Sequence, residues 1–251
     1  MFTKTDYDKL EQLMAEKPEN RELLTRLLDS FEESTAAISH EIRNPLTLVY
    51  STLQLLESRH PDVTGDRYWT SLCRDVEYMQ QLLTDLSSFS HSRSLRLSRF
   101  SFRSLMEQIV LSFAASCADT DISFTSKVSP DLPQLEGDPV KLREVFLNLL
   151  RNAREAISGK GSIWLEAACV SQDPKDRDSS CVSGIQVTIR DTGCGIEEEQ
   201  LSRIFEPFVT SKPNGTGLGL SIARRTVRAH GGTLSVSSSE KGTVFSVFLP
   251  V

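Results

Sequence analysis

The stretch richest in chemistry is Ser39-His40-Glu41-Ile42-Arg43-Asn44-Pro45-Leu46-Thr47. An imidazole can act as a nucleophile near neutral pH, and a neighbouring carboxylate can fix which ring nitrogen carries the proton. Around this stretch Ile38, Ile42, Leu46, Val49, Leu53 and Leu56 recur every three or four positions, the spacing of a helix with one buried stripe. On that helix His40 and Asn44 share a face, with Glu41 beside them. The face lies next to the apolar stripe, so the imidazole is expected to meet solvent. Pro45 has no N–H, so the Glu41 carbonyl loses its helical partner and the helix can bend there.

Three more motifs lie in the second half of the chain. In Asn148-Leu149-Leu150-Arg151-Asn152-Ala153-Arg154-Glu155-Ala156 two carboxamides stand four residues apart. They offer oxygens to a hard cation and N–H groups to phosphate, and Mg²⁺ needs few protein ligands because it keeps water and phosphate. Asparagine is a mediocre helix former, so two in mid-helix imply a compensating role. The second motif is Asp191-Thr192-Gly193-Cys194-Gly195-Ile196, directly after a strand-like run. Its glycines let the backbone turn tightly against a flat ligand, and the carboxylate can accept from an exocyclic amine such as that of adenine. A plain tight turn would also satisfy this pattern. The third is Gly215-Thr216-Gly217-Leu218-Gly219-Leu220, which opens a helix and exposes backbone N–H groups where the helix dipole favours phosphate. It does not follow a strand, as a dinucleotide-binding fingerprint would require.

The elements that must position these motifs follow from periodicity and punctuation. Residues 1–33 carry apolar positions at Leu10, Leu13, Leu23, Leu24, Leu27, Leu28 and Phe31, with Pro18 dividing two helical pieces. The second piece is expected to run into the histidine helix; the segment reads as a coiled-coil entry, with an upstream sensor or regulator as its alternative partner. The histidine helix should end near Ser58, before the breakers His60-Pro61 and Gly65. A second helix, from about Asp66 to His91, carries the stripe Trp69, Leu72, Val76, Met79, Leu83 and Leu86. One hairpin has too little apolar surface to stand alone, and pairing two into a four-helix bundle would bury both stripes.

A short basic link (Arg93, Arg96, Arg99) leads to mixed helix and strand. Ser101 is the expected cap of a helix over Phe102–Cys117, and Asp138-Pro139 that of a helix to about Ile157. Strands are expected at Ile122–Thr125, Ser162–Val170, Ile185–Arg190, Thr233–Ser237 and Thr243–Leu249, with Ser171–Ser183 a surface loop. A last helix spans about Leu218–His230. The fold class is α+β: a helical hairpin, then an α/β sandwich of one mixed sheet with helices on one face.

Composition narrows the class. The chain has 251 residues, 39% hydrophobic and 25% charged, enough for two modest domains and against wholesale disorder. A net charge of −6 with no basic stripe or aromatic platform gives no reason to expect nucleic-acid binding. The five cysteines are scattered without a CxxC, which suits reduced thiols rather than a disulfide frame or zinc site. No apolar run approaches the roughly twenty residues that span a bilayer. The polar N-terminus carries no secretory signal, so a cytoplasmic protein is expected.

Taken in order, the acceptor histidine, the paired asparagines, DTGxG, Phe205-Glu206-Pro207-Phe208 and GTGLGL resemble the two-component sensor histidine kinases over about residues 34–251. The resemblance implies a dimerisation and histidine-phosphotransfer domain at 34–92 and a Bergerat-type ATP-binding domain at 97–251. It implies a homodimer that uses ATP and Mg²⁺, autophosphorylates on His40 with help from Glu41, and passes the phosphoryl group to a response regulator aspartate. Asn44 then belongs to an acid-x-x-amide phosphatase signature. By the same resemblance Asn152 is the principal Mg²⁺ ligand, Asn148 supports metal or phosphate, and Asp191 holds adenine with Gly193, Gly195 and Ile196 around it. Residues 197–214 form a short lid carrying Phe205, Phe208 and Lys212, and Gly215, Thr216, Gly217, Leu218, Gly219 and Leu220 meet the phosphates. Related ATPases place a glutamate at the position of Asn148 to activate water, and its absence suits transfer to a side chain. Some family members have a phosphate-facing basic residue where this chain has Glu155, so Lys212 or Arg154 is the expected substitute. An ATP-regulated phosphatase or scaffold with little autokinase activity is the alternative reading.

Overall fold

The computed structural model of the chain describes residues 18–91, 95–172, 182–212 and 215–251. It divides into two compact units: Met1–His91 with Thr210–Leu218, and Ser92–Val209 with Gly219–Val251.

The first unit is built on a helical hairpin. Helix α1, Pro18–Arg59, is continuous through the histidine stretch and through Pro45. The expected piece before Pro18, with Leu10 and Leu13, lies outside the described residues. A 3₁₀ turn, Pro61–Gly65, leads to α2, Arg67–His91. Asp66 caps α2, its Oδ1 accepting from the N–H groups of Tyr68 and Trp69 at 2.6 and 3.3 Å. Leu53, Val76 and Leu83 are buried, and Arg43 donates across the hairpin to the Leu83 carbonyl at 3.3 Å. Leu46, Trp69 and Leu86 are partly buried, and the remaining positions stay open: Ile38, Ile42, Val49, Leu56, Leu72 and Met79 are 41–56% exposed. No helix among the described residues is long and apolar enough to cross a membrane.

In the second unit a five-stranded sheet runs in the order β2-β4-β5-β7-β6, from β2 (Ile122–Val128), β4 (Gly161–Gln172), β5 (Val182–Asp191), β6 (Thr233–Ser239) and β7 (Gly242–Pro250). β2 and β4 are parallel and the other pairs antiparallel, so the sheet is mixed as expected. Helices α3 (Phe102–Cys117), α4 (Pro139–Glu155) and α6 (Gly219–Ala229) share its core, and α5 is one turn, Glu198–Leu201. Alternation decides the faces: Ile163, Leu165 and Ala167 are buried in that core while Trp164 and Glu166 between them are exposed. Phe102 meets Phe146 edge-on at 5.9 Å, locking α3 to α4.

Three differences from expectation have physical causes. The end of the basic link is a strand, β1 (Ser98–Ser101), paired antiparallel with β3 (Gln134–Gly137) in a separate small sheet. The ladder joins residues far apart in sequence, and four-residue strands carry too little alternation to be read alone. The Ser171–Ser183 loop is shorter than expected, because β4 extends to Gln172 and β5 begins at Val182; residues 173–181 lie outside the described residues. Helix α4 ends at Glu155, with Ala156 as its C-cap, rather than near Ile157.

The cap of α4 ties several elements together. Asp138 Oδ1 accepts from the N–H groups of Val140 and Lys141, both at 3.1 Å, and Oδ2 from Arg96 N–H at 3.0 Å. Burial alone would push this carboxyl up. The N–H donors and the Lys141 charge outweigh it and hold the carboxyl below its ordinary value. The N–H of Asp138 donates to His230 Nε2 at 2.9 Å, so His230 carries its proton on Nδ1, which donates to the Thr226 carbonyl at 2.8 Å. The start of α4 is thereby pinned to the end of α6.

Candidate functional site

On α1 the imidazole of His40 is exposed, as are Glu41 and Asn44, so the helix presents all three to solvent. Ser39 beside them is fully buried, its hydroxyl donating to the Thr35 carbonyl at 2.7 Å. Together with the Arg43–Leu83 bond this fixes which way the face points. Past Pro45 the helix is reinforced by the Thr47 hydroxyl, which donates to the Arg43 carbonyl at 2.8 Å. The Asn44 carboxamide forms no hydrogen bond among the described residues, so it does not serve the carbonyl freed by Pro45.

The Asp191 loop is clamped from several sides. Asp191 is 2% exposed, and its Oδ1 accepts from Gly193 N–H at 2.8 Å and Thr243 N–H at 3.3 Å. These bonds orient the carboxylate rigidly in a buried position, where a single polar partner discriminates well. Cys194 N–H donates to the Ala156 carbonyl at 3.0 Å, and Ile196 N–H to the Ser238 hydroxyl at 2.8 Å. Gly195 has φ +74°, and a Cβ there would collide with the Ser239 carbonyl. Both facts require glycine. Gly193 packs so closely on Ala156 that a Cβ would lie 2.7 Å from its carbonyl oxygen.

The paired asparagines differ in environment. Asn148 is 6% exposed and its Oδ1 accepts from Arg151 Nη2 at 2.6 Å. Its Nδ2 is buried with no partner among the described residues. Asn152, one turn on, is half-buried. Gly219 begins α6 beside this corner: a Cβ there would lie 3.8 Å from Asn148 Cγ and 3.9 Å from Arg151 Nη2. Arg154, one of the cations expected to face phosphate, instead points at the end of α3, donating to the Ser116 carbonyl at 3.5 Å. Arg151 was not singled out from the sequence.

The lid residues are distributed between the units. Phe205 is partly buried against the core beneath Arg224, whose guanidinium carbon is 5.1 Å from the ring centroid. Phe208 is 46% exposed at φ +64°, a left-handed conformation that costs a bulky residue energy. The segment Thr210–Leu218 groups with the helical unit and so separates Lys212, Gly215, Thr216, Gly217 and Leu218 from Gly219 and Leu220. Within that unit the Thr216 hydroxyl donates to the buried carboxylate of Asp85, which also accepts from Gln81 Nε2 at 2.6 Å. Nothing in the motif hinted at Asp85. Gly217 has φ +66°.

The donor chemistry suits a hard divalent ion held mainly by phosphate and water. Among the described residues no group of three or more His, Cys, Asp or Glu could hold a metal ion.

Comparison with known proteins matches both parts of the chain. Residues 32–95 match the His Kinase A (phospho-acceptor) domain, and residues 137–251 the histidine kinase-, DNA gyrase B-, and HSP90-like ATPase. The sensory histidine kinase/phosphatase NtrB of Azospirillum brasilense is 30% identical over 246 residues, 96% of this chain and 61% of that protein. Full-length ShkA, crystallised in complex with AMPPNP, superposes with a TM-score of 0.69 at 27% identity, covering 87% of this chain and 45% of that one. Histidine kinase ThkA in complex with response regulator protein TrrA gives 0.58 at 26% identity, covering 87% and 61%. The chain spans 31–61% of the length of the curated relatives it matches. The two family models together account for most of the chain, in the order that its motifs run. The chain belongs to the two-component sensor histidine kinases.

Proposed function

We propose that this chain is an ATP-dependent protein histidine kinase that phosphorylates His40 and passes the phosphoryl group to an aspartate of a response regulator. The observation that carries the reading is the exposed His40–Glu41–Asn44 face in one chain with the clamped Asp191 loop. The AMPPNP bound to ShkA and the regulator bound to ThkA support the same two substrates here.

In this mechanism Asp191 accepts from the adenine amine, and the glycine turn that follows it, closed against Ala156 and Ser239, holds the carboxylate in place. Asn152 would hold Mg²⁺ through its carboxamide oxygen. The ion, when bound, supplies charge neutralisation on the phosphates. The lone pair of His40 Nε2 attacks the γ-phosphorus, the bond to the β,γ-bridging oxygen breaks, and ADP leaves with that electron pair. Glu41 takes the Nδ1 proton, which keeps the ring a nucleophile rather than a cation. The phosphoryl group then moves from Nε2 to a regulator carboxylate. Asn44, one turn from His40 on the same face, orients a water for removal of that phosphate without titrating. The name of NtrB, a kinase/phosphatase, supports including this second activity. Use of ATP agrees with action in the cytoplasm, and residues 1–33 are our candidate contact for an upstream sensor.

Incubation with γ-labelled ATP and Mg²⁺ tests the reading. Wild type should acquire an acid-labile label, and His40→Gln should lose it while still binding nucleotide. An acid-stable label that persists in His40→Gln would refute the assignment.

A further inference from the structure

We infer that Arg151 is the cation that receives the phosphate chain of the nucleotide, and that it waits for it on Asn148. This rests on the reading of the second unit as an ATP site. Arg151 Nη2 lies 2.6 Å from Asn148 Oδ1, and among the described residues its guanidinium enters no ion pair. Its charge is therefore held by a neutral amide alone. A phosphate oxygen is the stronger acceptor, because it is charged and can take two guanidinium N–H groups in parallel.

The neighbouring atoms fit the same occupant. Asn148 is nine-tenths buried, yet its Nδ2 has no partner among the described residues. Buried donors are almost always paired, so an unpaired one marks a missing acceptor. That Nδ2 and Arg151 Nη2 each lie 3.9 Å from where a Cβ on Gly219 would be. Gly219 opens α6, an eleven-residue helix whose first N–H groups and positive dipole end favour an anion. Two side-chain donors thus meet beside the start of α6, and the lack of a side chain at Gly219 keeps the corner open.

The arrangement also gives an order of events. When a phosphate oxygen draws Arg151 away, Asn148 Oδ1 loses its donor and becomes available to a hydrated cation, while Nδ2 can donate to phosphate. Arg151 would then couple phosphate arrival to completion of the metal site. Neither other candidate fits as well: Arg154 serves Ser116, and Lys212 already has contacts of its own.

Binding of adenosine, ADP and ATP to the full chain, by calorimetry in EDTA and again with Mg²⁺, tests this without any turnover. Arg151→Met should leave adenosine affinity within about twofold of wild type and weaken ATP by about tenfold or more, with ADP between them, even in EDTA. Arg151→Lys, which keeps the charge but not the fork, should recover part of the ATP affinity. Equal losses for adenosine and ATP, or an unchanged ratio between them, would overturn the assignment to Arg151. Wild type that binds none of the three would instead overturn the ATP reading itself.

Discussion

Replacing Asp138 tests how far one cap holds the second unit together. The carboxylate accepts three N–H groups: Val140 and Lys141 in the first turn of α4, and Arg96 from the segment before β1. Losing a helix cap of this kind costs about 1–2 kcal/mol. Loss of a negative charge at a helix start adds about 0.5 kcal/mol. The Arg96 N–H belongs to an exposed residue and finds water once released, so it adds little. Asp138→Ala should therefore destabilise the second unit by roughly 2 kcal/mol at neutral pH, about a 30-fold shift in its folding equilibrium. Asp138→Asn keeps one oxygen for the cap but cannot accept from Arg96 with its amide nitrogen. It should cost less than about 1 kcal/mol.

The pH dependence has a defined sign. Because the folded carboxyl titrates below its ordinary value of 3.8, its stabilisation is complete above that value and is lost as pH falls through the folded pKa. The gap between wild type and Asp138→Ala should hold steady at neutral pH and narrow in acid. Urea unfolding followed by Trp164 fluorescence, with Trp69→Phe in every variant so that β4 alone reports, measures both effects. A neutral-pH difference below about 0.5 kcal/mol would refute the cap argument, as would one that stays constant well below the ordinary carboxyl range.

Two further outcomes are expected from the helical unit. Asn44→Ala should retain most self-labelling but slow removal of phosphate from the regulator by about tenfold or more, whereas Glu41→Ala should impair labelling first; wild-type decay with Asn44→Ala would end its catalytic role. The apolar residues left open on α1 and α2 predict a dimer, with light scattering giving twice the chain mass. Leu72→Asp combined with Met79→Asp should shift that mass toward one chain, and an unaltered dimer would mean that another surface pairs the copies.

Much of this molecule is legible in its sequence because periodicity and punctuation act locally. The apolar stripes of α1 and α2 state their period within a dozen residues, and Ser101 and Asp138-Pro139 mark helix starts with caps found where expected. The candidate reactive residues can be nominated for another reason: a nucleophile, a carboxylate or a carboxamide must be that residue type to act. The supports are different. Gly195 is closed in by the Ser239 carbonyl, Arg154 is drawn aside by the Ser116 carbonyl, and β1 exists only through the backbone of β3. In each case the partner group is a peptide unit, which every residue carries, so no side chain in the sequence announces it. Arg154 is the instructive instance, since its acceptor is a carbonyl on another element. Arg151 and Arg154 lie on the same helix with the same chemistry, and their contacts divide because the end of α3 offers an acceptor to Arg154 and Asn148 to Arg151. Where the deciding group is backbone from a distant element, residue type can nominate candidates for a site, and only packing can choose among them.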